Sequence, residues 1–197
     1  MLMDVRTHSR PTVTDLRSVA DDLVVPEGSA VEILRGQIHV TPAPVPIHNR
    51  IADRICYQLL GLSGERVPSV SGTGIAPDIH EGDYVIPDLI VTTEAALDED
   101  RPMVPAAEID LVAEVVSVSC PNKDVRELPE VYAEWRIPVY LLVDPRSGDI
   151  ILHTEPVAGV YRQQRPFRFG DVVPLPALLD EIQLATDEFR RYGGQRG

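Results

Sequence analysis

Two acidic side chains interrupt apolar segments of this sequence, and their setting indicates metal chemistry. Glu114 lies inside the near-continuous apolar run 109–117, and Asp88 follows Pro87 inside the segment 84–92. An ionised carboxylate in a buried strand is costly unless it is paired or bound to a metal. Since proline is tolerated only at strand ends, edges and bulges, an acid just after it can point into a cleft. Two such acids on neighbouring strands would suit Mg²⁺ or Mn²⁺, which can activate water against a phosphate.

A purely structural alternative accounts for the same two residues. Glu114 would pair with an arginine, and Asp88 would cap a turn. The spacing of two isolated acids, taken alone, slightly favours this alternative.

The composition restricts the classes of function. The chain has 197 residues and a formal net charge of −13, which counts against binding to a DNA duplex because phosphate neutralisation supplies most of that affinity. Lys123 is the only lysine. No apolar run approaches the roughly 18–20 residues that span a bilayer, and the first ten residues carry no apolar signal core, so a cytoplasmic protein is expected. Cys56 and Cys120 form no metal-binding motif and are predicted to be reduced thiols.

The elements that must position the acids follow from periodicity. Residues 47–62 are predicted to form a helix because Ile47, Ile51, Ile55 and Leu59 recur every four residues. The run 109–117 is predicted to be a central strand with both faces covered. The remaining predicted elements, in chain order, are a tail (1–10), a helix (11–23), a hairpin (31–40), a proline-rich connector (41–46), strands (66–76 and 84–92), an acidic loop too polar to pack (94–107), a helix (124–135), a strand (139–143), a second hairpin (149–168) and closing helices (177–191). Residues 11–197 are therefore predicted to form a single α/β domain, a mixed sheet flanked by helices.

The order of short motifs resembles that of a known family. Over about residues 24–180 the sequence is similar to the Uma2 (DUF820) family, which is assigned to the PD-(D/E)XK nuclease superfamily. The resemblance implies a restriction-endonuclease-like central mixed β-sheet flanked by helices, with an N-terminal and a C-terminal hairpin. The motifs that carry it are Pro26-Glu27-Gly28, the segment 32–38, Pro42-Ala43-Pro44, His48, Pro87-Asp88, the segment 113–117, Tyr132-Ala133 and the segment 137–144.

The resemblance also implies roles for residues. Asp88 and Glu114 would bind Mg²⁺ or Mn²⁺, and Glu32 corresponds to an acid of the first hairpin that assists the metal site in related nucleases. Because many nucleases of the superfamily cut duplexes as dimers, it suggests a homodimer as well. His48, at the start of the long helix, is expected to be partly exposed, with contact to substrate or metal as the alternative.

The sequence departs from the family pattern at its lysine. The superfamily places a lysine two residues after the second acid, where this chain has Val116. Uma2 proteins move it onto the following helix, four residues before the position of Tyr132, where this chain has Leu128. Leu128 is expected to face the sheet. Lys123 is expected to be a solvated loop lysine, with substitution for the missing lysine as the alternative.

Two hypotheses of different class follow. The first is a metal-dependent endonuclease with Asp88, Glu114, Glu32 and Lys123 in its site, slow because a positioned charge of this kind contributes about 10²–10³ in rate. The second is a catalytically inactive protein that keeps the nuclease fold and acts as a binding or interaction module. Leu128 and the net charge of −13 favour the second.

Overall fold

The structure, a computed structural model, describes residues 13–70, 72–118 and 123–194, and its centre is a six-stranded mixed sheet. The strands are β1 (Ala30–Leu34), β2 (Gln37–Thr41), β3 (Arg66–Ser69), β4 (Ile75–Ala76), β5 (Leu89–Thr93), β6 (Val104–Pro105), β7 (Leu111–Val115), β8 (Val139–Asp144), β9 (Asp149–Val157), β10 (Val160–Arg168), β11 (Val172–Pro174) and β12 (Gln183–Ala185). The helices are α1 (Val13–Asp21), α2 (Pro46–Leu59), α3 (Glu94–Asp98) and α4 (Leu128–Glu134), and a π-helical turn (Lys123–Glu127) leads directly into α4. The predicted tail, 1–10, and Cys120 lie outside the described residues.

The central sheet has the order β10-β9-β8-β7-β5-β3. Strands β7 and β8 are parallel, and every other neighbouring pair is antiparallel. The predicted second hairpin is β9–β10, which extends one edge of this sheet. The predicted N-terminal hairpin is β1–β2, a separate two-stranded ribbon. The expected mixed α/β architecture is therefore confirmed.

Strand β7 has apolar cover on both faces, as predicted for a central strand. Leu111, Ala113 and Val115 belong to the core cluster that contains the α2 residues, and Val112 and Val116 belong to the cluster that contains the α4 residues. Because successive side chains of a strand alternate between faces, Glu114 projects toward α4. Helix α2 begins at Pro46, a residue favoured at the first helical position.

The predicted acidic loop 94–107 is wrong, because this segment packs. It forms α3 and β6, and Ala96 and Val104 are buried. The hydroxyl of Thr93 accepts a hydrogen bond from the Ala96 amide and caps α3. Arg101 pairs with Glu108 at 2.6 Å, which offsets part of the acidic charge.

The predicted closing helices over 177–191 are also wrong. Within residues 177–191, all of which the structure describes, the helical content is one 3₁₀ turn, Ala177–Leu179, and the strand β12 follows it. Asp180 and Glu181 then take left-handed backbone conformations, with φ of 54° and 52°. The Asp180 carboxylate holds this turn by accepting hydrogen bonds from the amide and hydroxyl of Ser63, at 2.6 and 2.9 Å.

Within the described ranges, no helix combines the length and the apolar character needed to cross a membrane. Cys56 lies on α2 as a half-buried free thiol.

Candidate active site

Strands β5 and β7 bring Asp88 and Glu114 together. Leu89 pairs with Ala113 in the antiparallel register, so Asp88 and Glu114 occupy the next step along the two strands. The amide of Val115 donates to Asp88 Oδ2 at 2.7 Å, and the amide of Asp88 donates to Glu114 Oε2 at 3.4 Å. Each acid is thus tied to the backbone of the other strand, and the two carboxylates converge.

Both acids line a cavity of about 350 Å³ at the carboxyl end of β7. The cavity is lined by residues just before β5 and at the end of β7, by the β1–β2 hairpin and by the proline connector after it. The polar and charged side chains that line the cavity are Glu32, Thr41, His48, Asp88, Glu114, Ser117, Lys123, Asp124 and Tyr192.

The N-terminal hairpin carries Glu32 into this cavity. Its turn places Arg35 and Gly36 at positive φ, 53° and 68°, which is the geometry of a tight two-residue hairpin. The Asp83 carboxylate accepts hydrogen bonds from both turn amides, at 2.6 and 2.9 Å. Glu32 Oε1 accepts from the amide of Ile86 at 2.9 Å. The hairpin is therefore anchored to the segment that leads into β5, and Glu32 is only 1% exposed.

Lys123 lies inside the cavity, so its expected position as a solvated loop residue is wrong. Its ammonium group forms an ion pair with Glu32, and the side chain is 12% exposed. Burial alone would lower the pKa of Lys123, but the charges of Glu32 and Glu114 raise it above its ordinary value. The group is therefore a charged ammonium in the cavity.

The π-helical turn explains why Lys123 reaches the cavity. In such a turn the hydrogen bond joins residues five apart instead of four, so Lys123 lies one wide turn before Leu128 on the side that faces the acids. Leu128 is fully buried and packs toward the sheet, as predicted. An ammonium group therefore lies in the cavity, carried by a residue five positions before Leu128 in the sequence.

Tyr132 of α4 binds Glu114 from one side of the sheet. Its hydroxyl donates to Glu114 Oε1 at 2.6 Å, and both side chains are buried. Burial and the negative charges of Asp88 and Asp124 raise the pKa of Glu114 well above its ordinary value, and Lys123 and Tyr132 offset only part of that effect. The sequence indicated no role for Tyr132 in the site, because a helical pattern does not show which group a side chain on the helix meets.

His48 of α2 binds Asp88 from the other side of the sheet. It is buried, not partly exposed as expected, and its Nε2 lies 3.2 Å from Asp88 Oδ2. Its Nδ1 lies 3.4 Å from the side-chain oxygen of Asn49. Burial lowers the pKa of His48, but the hydrogen bond and the charge of Asp88 outweigh burial and raise it.

Asp124 is a fourth acid of the cavity that sequence analysis missed. It belongs to the π-helical turn, is 5% exposed, and accepts a hydrogen bond from the amide of Ser117 at 3.2 Å. Burial is the main cause that raises its pKa, to about 6, against the opposing effect of Lys123. In the sequence, Asp124 directly follows Lys123 at the start of a predicted helix. An aspartate at a helix start is also typical of a capping residue, so this position did not single it out as a site residue.

The carboxylates of Asp88 and Glu114 are a donor set that suits a small hard cation whose other ligands come from water and substrate. Among residues 13–70, 72–118 and 123–194, no arginine pairs with Asp88 or Glu114, so the arginine partner that the structural alternative gave Glu114 is not found. In the same ranges, no group of three or more His, Cys, Asp or Glu side chains is placed to hold a metal ion, so protein ligands would come from this pair of acids. Mg²⁺ is commonly held by one or two carboxylates, with waters and substrate phosphate oxygens as the other ligands. A converging pair of carboxylates beside excess negative charge meets that requirement.

The sheet order, the paired acids at its centre and the covering helices define a domain of the nuclease-fold class. The chain belongs to the Uma2 family, described as "Putative restriction endonuclease", whose model matches residues 18–187. Its fold is similar to the crystal structure of a "putative nuclease belonging to DUF820" from Anabaena variabilis, with a TM-score of 0.69 and 16% sequence identity, covering 91% of this chain and 97% of that one. No curated protein sequence matches this chain. The resemblance inferred from the sequence is confirmed.

Proposed function

We propose that this protein is a divalent-metal-dependent endonuclease that hydrolyses phosphodiester bonds, with Asp88 and Glu114 as the ligands of Mg²⁺ or Mn²⁺. The observation that carries the proposal is the reciprocal pair of contacts by which the amides of Val115 and Asp88 bring the two carboxylates together. The family description supports the reaction class.

The charge balance of the cavity supports a bound cation. Four carboxylates, from Glu32, Asp88, Glu114 and Asp124, line a space in which Lys123 and His48 are the basic groups. Burying uncompensated carboxylates is costly, and the raised pKa values of Glu114 and Asp124 express that cost. A divalent ion bound by Asp88 and Glu114 would offset this burial cost, because its positive charge compensates the carboxylates.

The chain's own residues have separate tasks in this proposal. A metal bound by the two acids would supply Lewis acidity and a more acidic bound water. Lys123 would orient the attacking water and offset negative charge that develops on the phosphate. Glu32 would hold the Lys123 ammonium in place, and His48 with the Val115 amide would hold the Asp88 carboxylate.

The net charge of −13 argues that the protein does not hold DNA by broad phosphate neutralisation. In the cavity, the one lysine is already paired with Glu32. Attraction for the phosphodiester would therefore depend on the metal, and binding of nucleic acid without metal would be weak.

The test is cleavage of plasmid DNA and single-stranded oligonucleotides in Mg²⁺ or Mn²⁺. Wild-type protein should cleave one of them in a metal-dependent manner, and Glu114→Gln should lose the activity. Glu65→Gln is the matched control, because Glu65 is exposed and lies outside the cavity. Equal traces of cleavage from all three preparations would identify a contaminating nuclease and end the enzyme proposal.

An inactive binding module remains the second candidate, and the net charge is the observation that favours it. The second observation behind this candidate is leucine at position 128, where the family has lysine. It argues less strongly for an inactive protein because the Lys123 ammonium lies in the cavity. The module predicts no thermal stabilisation by Mn²⁺, whereas binding to the native state would raise the melting temperature. The homodimer suggested by the family resemblance is a separate proposal, tested by sedimentation velocity.

A further inference from the structure

The hydroxyl of Tyr132 contacts only one of the two oxygens of Glu114. It donates to Oε1 at 2.6 Å, a short bond typical of a hydroxyl bonded to a carboxylate. The other oxygen, Oε2, faces the amide of Asp88 at 3.4 Å. The two oxygens of Glu114 therefore have different environments: Oε1 is directed toward α4, and Oε2 toward the paired acid.

The ring of Tyr132 is fixed by its neighbours. It packs against Tyr140 with ring centroids 5.1 Å apart and against Trp135 at 6.1 Å in an edge-on arrangement. Leu128, one turn earlier on α4, is fully buried in the same cluster. A side chain enclosed in this way cannot change rotamer without opening the core. The hydroxyl is thus a donor at a set position.

We propose that Tyr132 is a positioning residue for metal binding, which holds Glu114 Oε1 and so presents Oε2 toward Asp88. The inference rests on the proposed function, because it assigns Tyr132 a task in the same site. Partners that orient a ligating carboxylate typically contribute about 10–100-fold to metal affinity.

The test compares Mn²⁺ affinity, measured by isothermal titration calorimetry, in wild type, Tyr132→Phe and Tyr161→Phe. Tyr161 is a matched control because it is another buried phenol of the same aromatic cluster, and its hydroxyl donates to a backbone carbonyl, that of Ile137, at 2.9 Å. Each substitution removes one buried hydroxyl and its hydrogen bond. Only Tyr132→Phe should weaken Mn²⁺ binding, by about 10–100-fold.

The outcomes separate this inference from the function on which it rests. If wild type binds Mn²⁺ and Tyr132→Phe binds it equally well, or if both variants weaken it alike, the positioning role is overturned. If wild type itself binds no Mn²⁺, the proposed metal-dependent function fails first. The titrations are run at low temperature in sucrose, which favours the compact state, and circular dichroism verifies that each variant is folded.

Discussion

Lys123 and Glu32 form an ion pair within the cavity, although 91 residues separate them in the sequence. Glu32 comes from the N-terminal hairpin and Lys123 from the turn before α4. The pair therefore joins two elements that are distant in the sequence. The Lys123 ammonium thus lies in the cavity that Asp88 and Glu114 line. Its position there leads to predictions about its own reactivity and about the rate of hydrolysis.

The first prediction concerns the chemical reactivity of Lys123. Its pKa is raised by Glu32 and Glu114, and its side chain is 12% exposed. Because acylation requires an accessible neutral amine, Lys123 should react much more slowly with an acetylating ester than the α-amino group does. Lys123 is the only lysine, so intact-mass measurement distinguishes one acetyl group from two. Protein unfolded in urea is the control, in which both amines should react. Rapid addition of two groups to the folded protein would restore the solvated-loop interpretation.

The second prediction concerns the rate of hydrolysis. Lys123→Met keeps much of the side-chain length and removes the charge, and it should lower metal-dependent cleavage by about 10²–10³-fold. Leu128→Lys should not raise the rate, because Lys123 already supplies the ammonium and Leu128 is fully buried. Leu128→Met is the control for disturbed packing at that position. A gain of activity in Leu128→Lys would show that Lys123 does not perform the family lysine's task.

Local patterns predicted well one of the two elements that position the acids. The apolar run around Glu114 located β7, because burial on both faces leaves a continuous apolar segment. The strand predicted over 84–92 begins only at Leu89, so Asp88 directly precedes β5. The contributions of His48, Tyr132 and Asp124 depend on which elements pack together, and local patterns contain no such information. Lys123 was misplaced for a related reason, because a π-helical turn looks like an ordinary helix start in the sequence.

The third prediction concerns the stability cost of Glu114. Its pKa is above the ordinary value in the folded protein, so in the pH range between the two values the folded state binds more protons than the unfolded state. The free energy of unfolding therefore falls as pH rises through that window. Without metal at neutral pH, Glu114→Gln should be more stable than wild type, by about 1–3 kcal/mol, the cost of a poorly compensated buried polar group.

Urea unfolding measures this difference with and without Mn²⁺. The advantage of Glu114→Gln should shrink toward acidic pH, where wild-type Glu114 is neutral as well. Saturating Mn²⁺ should stabilise wild type and leave Glu114→Gln unchanged. A Glu114→Gln variant that is less stable than wild type, without metal at neutral pH, would contradict this prediction. It would show that the hydrogen bonds and charges around Glu114 stabilise its carboxylate.

The fourth prediction concerns His153, a buried histidine that does not line the cavity. It lies on β9 and stacks against Tyr140 with ring centroids 5.2 Å apart. In the described part of the chain, neither ring nitrogen has a hydrogen-bond partner. Burial lowers the pKa of His153 from 6.5 to about 4, because an imidazolium there would be shielded from solvent, with no counter-charge among the described residues.

This depressed pKa makes the protein sensitive to acid. As pH falls below 6.5, the unfolded chain takes up a proton at this histidine and the folded chain does not, so stability is lost until about pH 4. The full loss is about 3 kcal/mol, from about 1.4 kcal/mol for each pKa unit. His153→Phe keeps an aromatic ring against Tyr140 and cannot be protonated, so its unfolding free energy should fall less over that interval. Carboxylates titrate in both proteins, and the difference between the two curves therefore isolates His153. Parallel curves would show that His153 reaches a proton-accepting partner or water in the folded protein.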